Sequence, residues 1–343
     1  MSHRQPTFSI VIASFNGEQR IATAIRSLQQ QTYPNELYEI IVVDDGSSDR
    51  TSTVAEQLDV RVIRHASNRG IAATRNSGLA AARHAIYVSF DDDCRVAPNW
   101  LAQLAEAYRQ QPDALGIGSI VAAPARPTGL VGRFMAAVHS GNPTPLTLGR
   151  HRHILGRFWS YVVDQATPPQ RKISRNLYAV RHLNGATASF PVAALRSVDG
   201  WNPSLRWMED TDVCARLRKR YPNRQLYAEP KAAIIHDPSM SLSTFVLRPF
   251  RRGPYNLAYY RSQHLTPPIF PFPLVWLGSG ILCLWLLPTW CLPVLVILPQ
   301  LLYGWWPVRA ALERSPWALT FAYIQLAEET STVAGLVRGW AGR

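Results

Sequence analysis

The sequence predicts an α/β protein with a mostly parallel central sheet. Apolar runs of strand length recur at 8–13, 39–43, 60–64 and 85–90. Helix-compatible segments separate them, the alternation that builds βαβ units with right-handed crossovers. Aspartate clusters close two of these runs, at Asp44-Asp45 and Asp91-Asp92-Asp93. Ligands of such sheets bind beyond the carboxyl ends of the strands.

The elements follow in order. Residues 8–13 (Phe-Ser-Ile-Val-Ile-Ala) read as a buried strand, and Ile21, Ile25 and Leu28 give 18–31 helical spacing. A second strand at 39–43 runs into Asp44-Asp45-Gly46-Ser47-Ser48-Asp49. A short helix at 51–58, a strand at 60–64 and an Ala-rich helix at 71–83 come next. The strand at 85–90 ends in three aspartates, and a helix begins near Pro98-Asn99-Trp100. Further on, Glu209-Asp210-Thr211-Asp212 opens a helix with a basic end, an arrangement that suits the helix dipole by itself.

Composition limits the function classes. The 343 residues, 47% of them hydrophobic, can bury a real core in one large or two smaller domains. Four cysteines (94, 214, 283, 291), none in a C-x-x-C pair, argue against a disulfide scaffold or a zinc knuckle. No G-x-G-x-x-G or Gly-Lys-Ser/Thr loop is present. The net charge of +13 is uneven: −2 over 1–120, +14 over 121–264 and +1 over 265–343. Arg supplies nearly all of it, with only three Lys, and Arg suits phosphate-facing surfaces. Genomic base composition explains the same bias. Residues 122–182, proline-broken and basic at 170–175, read as an insert or lid. Phe134, Phe158, Trp159 and Tyr161 are candidates for ring stacking on a ligand or for core packing.

Residues 265–308 contain no Asp, Glu, Lys, Arg or His. This stretch predicts a membrane hairpin, as two short spans or a re-entrant element, with a buried soluble core as the competing reading. Arginines on both flanks place both ends on the cytoplasmic side. The polar N-terminus lacks a signal-peptide core, so residues 1–264 are expected to be a cytoplasmic domain attached to the cytoplasmic membrane. Residues 309–343 are expected to form an interfacial helical tail, with Glu328-Glu329 in its last helix.

Three aspartates at a strand end repel one another unless a cation offsets them, and Mg²⁺ takes one or two such carboxylates together with substrate phosphates. Helix capping is the competing explanation. Asp44-Asp45-Gly46 is compatible with an ordinary turn or with a nucleotide contact.

Taken together, Ser14-Phe15-Asn16, Val43-Asp44-Asp45-Gly46-Ser47-Ser48-Asp49, Arg75-Asn76-Ser77-Gly78, Asp91-Asp92-Asp93, Gly200-Trp201 and Glu209-Asp210-Thr211-Asp212 resemble family 2 glycosyltransferases over about residues 7–240. The resemblance implies a GT-A fold and inverting sugar transfer from a nucleotide-diphospho-sugar, in cell-surface glycan or glycolipid synthesis. It implies Asp210 as catalytic base with Glu209 beside it. It puts Ser14, Asn16, Asp45, Arg75, Asp91 and Asp92 at the nucleotide-sugar, and Asp93, Asp91 and His236 at a Mg²⁺ or Mn²⁺ ion. A strand-end histidine bonded to backbone remains the competing reading of His236. The region after 240 lacks Gln-x-x-Arg-Trp, which points to single-sugar transfer, and Thr187 replaces the Asn of Gly-x-Asn near the acceptor. The implied acceptor is a glycan or lipid-linked hydroxyl; a polyprenyl-phosphate acceptor is the near alternative. A basic membrane scaffold without catalysis is the alternative from another class. No nucleic-acid partner is expected, because acidic strand ends repel phosphate.

Overall fold

The computed structural model describes residues 5–122, 129–138, 156, 159, 161–162, 176–186, 188–236, 240–268, 270–287, 289, 291–312 and 315–341. Most of the expected insert at 122–182, including Phe158 and the basic run 170–175, lies outside the described residues, as does Thr187.

The chain divides into two compact units: Met1–Pro127, His139–Leu148 and Lys172–Pro238 form the first, and Thr128–Val138, Gly149–Arg171 and Ser239–Arg343 the second. This division differs from the expected break after residue 264. The helix at Leu242–Ser262, with buried Phe245, Leu257 and Tyr259, falls in the second unit.

The first unit is a nine-stranded sheet with helices around it. Its strands are β1 (Phe8–Ser14), β2 (Tyr38–Asp44), β3 (Arg61–Arg64), β4 (Ile86–Asp91), β5 (Cys94–Val96), β6 (Gly116–Ala122), β7 (Tyr178–Val180), β8 (Ala188–Pro191) and β9 (Leu226–His236). The spatial order is β3-β2-β1-β4-β8-β6-β9-β5, with β7 paired to β9. β1 pairs in parallel with both β2 and β4, and β2 with β3, as the βαβ alternation requires. Beyond β4 the sheet turns mixed. β8 runs antiparallel to β4 and β6, and β5 and β7 run antiparallel to β9, while β6 and β9 are parallel. The expectation of a mostly parallel sheet therefore holds for the N-terminal half only. Short strands such as β5, three residues long, carry too little apolar pattern to reveal direction.

Helices α1 (Ile21–Gln29), α2 (Thr51–Glu56), α3 (Ile71–Ala81) and α4 (Trp100–Gln110) fall where the spacing puts them. α1 buries Ile21, Ala24, Ile25 and Leu28 against the sheet. α3 approaches β1 so closely that a Cβ on Gly78 would collide with the Val11 side chain. Asn76 then clamps the loop before the Glu209 helix: its Oδ1 accepts from Trp201 N at 2.8 Å and its Nδ2 donates to Trp201 O at 2.7 Å. Trp201, fully buried, packs on Tyr87 and Phe190 with ring centroids 5.0 and 6.2 Å away.

The second unit is helical: α5 (Gly129–Val138), α8 (Leu242–Ser262), α9 (Pro271–Leu286), α10 (Cys291–Leu302), α11 (Trp305–Leu312) and α12 (Trp317–Ala341). The two helices between, α6 (Val192–Arg196) and α7 (Glu209–Arg220), belong to the first unit. Among the described residues no single helix is long and apolar enough to cross a membrane. α10 and α11 satisfy length and composition only together, across a 77° bend.

α12 is partly buried within the helical unit. It buries Phe321, Ile324, Leu326 and Glu329 and meets α8 through glycine: a Cβ on Gly253 or Gly335 would strike the facing backbone. The Glu329 carboxylate accepts from Tyr303 Oη at 2.7 Å, from Tyr161 Oη and from Gln325 Nε2, so its burial is offset by donors instead of water. Of the candidate sugar-stacking aromatics, Phe134 is core: it packs edge-on against Phe245 and Phe321. Tyr161 is committed to Glu329, and Trp159 is exposed.

Candidate active site

Register fixes where the site forms. Ser14 stands beside Asp44, and Ala13 beside Asp91, so the carboxyl ends of β1, β2 and β4 meet at one edge. Both acidic clusters therefore converge there, 47 positions apart in sequence, as parallel pairing demands.

The carboxylates at this edge have different partners. Asp44 is fully buried; its Oδ1 accepts from Ser47 N at 2.9 Å and its Oδ2 from Ser52 Oγ, so it builds the turn after β2. Gly46, at φ 74°, makes that turn in the left-handed region. Asp45 accepts from Arg69 N at 2.9 Å, Gly70 N at 2.8 Å and the His65 ring at 2.7 Å. The other His65 nitrogen meets Ser77 Oγ at 2.8 Å. Asp45 thus shapes the loop before α3. Asn16, at φ 51°, caps the same region: its Oδ1 accepts from Ser48 N at 3.0 Å, and its own N–H donates to Ser47 Oγ.

The three consecutive aspartates separate by direction. Asp92 turns toward the loop after β1, where Ser14 Oγ donates to it at 2.5 Å and Arg20 Nε lies at 3.2 Å. A Cβ on Gly17 would collide with Asp92 and Ser14. Asp91 faces Arg75, with Nη2 to Oδ1 at 3.6 Å. Burial pushes the Asp91 carboxyl up to about 6, against the pull of Arg75. Asp93 meets His236 Nε2 at 3.2 Å. Burial raises the Asp93 carboxyl, but the hydrogen bond and charge of His236 outweigh it, and the net shift is downward.

Asp93, Cys94 and His236 bring three ligand atoms within 4.8 Å of one another. Cys94 and His236 are cross-strand partners on β5 and β9, which is why residues so distant in sequence converge. A carboxylate with an imidazole fits a divalent cation that also binds phosphate oxygens. Burial, followed by the nearby Asp91 and Asp93 charges, pushes the Cys94 thiol well up. It is therefore a protonated neighbour of the hard donors. Asp91, expected among the metal ligands, is outside this group and beside Arg75 instead.

Arg75 joins the two halves of the site. Its guanidinium is buried, with Nη1 donating to Glu209 Oε1 at 2.7 Å and Nη2 facing Asp91. Burial alone would weaken its charge, but Glu209 and Asp91 raise its pKa above the ordinary arginine value. Among the described residues its buried Nε has no hydrogen-bond partner. Gly185 leaves room here: a Cβ at that position would press on the guanidinium. Glu209 opens α7 after Met208, whose φ of 68° turns the chain into the helix. Asp210, next in the first turn, accepts from Gly185 N at 3.2 Å and Thr211 N at 2.7 Å and is half-buried.

All the sequence-predicted site residues lie in the first unit. The structure brings Asp91, Arg75 and Glu209 into one ion-paired chain, with Asp210 adjoining it. It brings Asp93 and His236 together, and Ser14 with Asp92. Asp45 and Asn16 build the neighbouring loops. Sequence reasoning missed Arg20, His65 and Cys94 as site residues. His65 follows β3 and so obeys the strand-end rule already applied to the aspartates. Cys94 is adjacent to Asp93. Arg20 carries no comparable signal.

A metal-compatible cluster and a carboxylate-rich helix start thus lie at the carboxyl edge of the sheet, an arrangement compatible with a cation-held, phosphate-bearing ligand. Residues 9–147 match the sequence profile of glycosyl transferase family 2. The chain is similar to the pre-mycofactocin glycosyltransferase of Mycobacterium tuberculosis, at 26% identity over 83% of this chain and 53% of that protein. It also resembles the putative glycosyltransferase EpsH of Bacillus subtilis, at 35% identity over 32% of each. The chain thus matches about half the length of the first relative and a third of the second. Among solved structures, the mannosyltransferase PcManGT of Pyrobaculum calidifontis, in complex with GDP-Man and Mn²⁺, shares the fold. The TM-score is 0.59 and the identity 16%, over 99% of this chain and 89% of that one. GalNAc-T7 with UDP, GalNAc and Mn²⁺ aligns at a TM-score of 0.50 and 17% identity, over 68% and 43%.

Proposed function

We propose that this protein moves a single sugar from a nucleotide-diphospho-sugar to the hydroxyl of a glycan or lipid-linked acceptor in cell-surface glycan or glycolipid synthesis, with inversion. One observation carries the reading: buried Arg75 bridges Asp91, at the strand edge where a donor diphosphate would sit, and Glu209, at the helix start that presents Asp210. The donor site and a candidate base are thereby locked in one ion-paired unit. The ligands named with the two structural neighbours, GDP-Man, UDP and Mn²⁺, are consistent with such a donor.

The chemistry follows from the parts. The acceptor oxygen bonds to the anomeric carbon as the bond from that carbon to the diphosphate oxygen breaks. The hydroxyl proton passes to Asp210, and the electron pair leaves with the nucleoside diphosphate. A single displacement through an oxocarbenium-like transition state inverts the centre. Glu209 is engaged by Arg75, which leaves Asp210, held by backbone amides, as the carboxylate free to take a proton. When bound, Mg²⁺ or Mn²⁺ at Asp93 and His236 supplies Lewis-acid stabilisation of the leaving diphosphate's charge. Arg75 adds positive charge on the side of Asp91.

The proposed workplace is the cytoplasmic face of the cytoplasmic membrane. The uncharged run 265–308, flanked by arginines, supports that assignment.

The test is calorimetric titration of a panel of uridine, guanosine and thymidine diphospho-sugars, with Mn²⁺, with Mg²⁺ and with chelator. The expected result is metal-dependent binding of at least one donor. Absence of binding to every donor with either metal refutes the proposal.

A further inference from the structure

α9 and α10 form an antiparallel hairpin with an unusual distribution of exposure. Trp276 Nε1 donates to Leu295 O at 3.1 Å, and Cys291 Sγ lies 3.8 Å from Gly280 O, which fixes the pairing. A Cβ on Gly280 would press on Leu295, so the helices sit close. The base of the hairpin is packed: Pro271, Phe272, Pro273 and Pro299 are buried, next to buried Tyr303 and Trp306. Toward the tip the reverse holds. Leu284 is 63% exposed, Trp285 84% and Leu292 72%, and Ile281, Leu282, Leu286 and Leu287 are more than half exposed as well. Apolar side chains thus cover every side of the distal hairpin, a distribution that water disfavours and hydrocarbon accepts.

Length and charge define the occupant. α9, with 16 residues, is about 24 Å long and α10, with 12, about 18 Å, both short of the ~30 Å hydrocarbon core. Each is long enough to reach into one leaflet. No charged residue occurs between 265 and 308, while Arg248, Arg251, Arg252 and Arg261 precede the hairpin and Arg309 follows it. Arg309 stands at the base, donating to Ala137 O with its guanidinium 5.9 Å from the Trp306 ring. An apolar tip with a basic base matches the profile of a leaflet bearing anionic headgroups.

We propose that the α9–α10 hairpin is a re-entrant membrane element: its tip inserts into one leaflet of an anionic bilayer, and the chain leaves on the side it entered. This rests on the membrane attachment proposed above and specifies its geometry. The hairpin crosses no bilayer; it anchors the helical unit at the surface.

The experiment uses the full chain added to sealed vesicles of phosphatidylcholine with phosphatidylglycerol. A fluorophore is placed on Thr289→Cys in a Cys283→Ala background. The expected result is flotation with the vesicles, quenching by lipids carrying a doxyl group on the acyl chain of the outer leaflet, and no reaction of the Thr289→Cys thiol, before labelling, with an impermeant thiol reagent trapped in the lumen. The double variant Leu284→Asp/Leu292→Asp, at exposed positions that leave the base intact, is expected to float at least about tenfold less. It is expected to bind nucleotide-sugar as the parent does. Reaction with the lumenal reagent overturns re-entry while leaving membrane attachment standing. Failure of the parent to float overturns both. If the parent instead forms a dimer that the double variant breaks, the face is an interface between copies and the proposal is wrong.

Discussion

Replacing Arg75 tests the joint between the proposed donor site and the proposed base. In Arg75→Met the guanidinium that pairs with Glu209 at 2.7 Å is lost, and the Asp91 and Glu209 carboxylates remain without their shared cation. At an effective dielectric of 20 the direct attraction at that distance is about 6 kcal/mol, and desolvation of both partners cancels part of it. Breaking a buried pair from one side typically costs about 3–5 kcal/mol, and side chains only 4% and 11% exposed place this pair in that regime. Urea denaturation of Arg75→Met, Glu209→Gln and the double variant forms a thermodynamic cycle. Arg75→Met is expected to lose about 3–5 kcal/mol, and Arg75→Met/Glu209→Gln to recover at least about 1 kcal/mol of it. A single-variant loss below about 1 kcal/mol, or a coupling of zero, would show that Arg75 does not hold the two segments together.

Further outcomes follow from other contacts. Gly78→Ala puts a methyl group against Val11 in the α3–β1 contact, and the melting curve should show a loss of about 1–3 kcal/mol despite the better helix propensity of Ala. Burial, with the charge of Glu329 adding to it, pushes the Glu328 carboxyl up to about 7. A carboxyl raised above its unfolded value costs the fold nothing below about pH 4.5 and progressively more as pH rises through 7. Glu328→Gln should therefore leave stability unchanged at pH 4 and add about 1–3 kcal/mol at pH 8, measured by thermal unfolding at both values. Chelation during donor titration should abolish metal-dependent affinity, and His236→Ala should weaken it by about tenfold.

Much of this site is legible in the sequence because its logic is topological. Strands that pair in parallel must deliver their carboxyl ends to one edge, so Asp45 and Asp91 converge whatever lies between them. What the sequence conceals is the direction of each side chain. Asp91, Asp92 and Asp93 are consecutive, yet one faces Arg75, one the loop after β1 and one His236. Those choices depend on partners up to 143 positions away, such as Asp93 and His236, which no local pattern encodes. The same limit applies to α12. Tyr161 and Tyr303, distant in sequence, join Gln325 in supplying the donors that admit Glu329 to the interior. Within Arg75-Asn76-Ser77-Gly78 the four residues divide the work: Arg75 forms the ion pairs, Asn76 clamps Trp201, Ser77 bonds His65 and Gly78 admits β1.

The most direct test of the proposed chemistry is sugar transfer by Asp210→Asn, measured beside nucleotide-sugar binding on the same preparation. Transfer is expected to fall by at least about a hundredfold while donor affinity stays within about twofold of the parent, the pattern of a lost proton acceptor. Wild-type turnover in Asp210→Asn would contradict the assignment of Asp210 as the base.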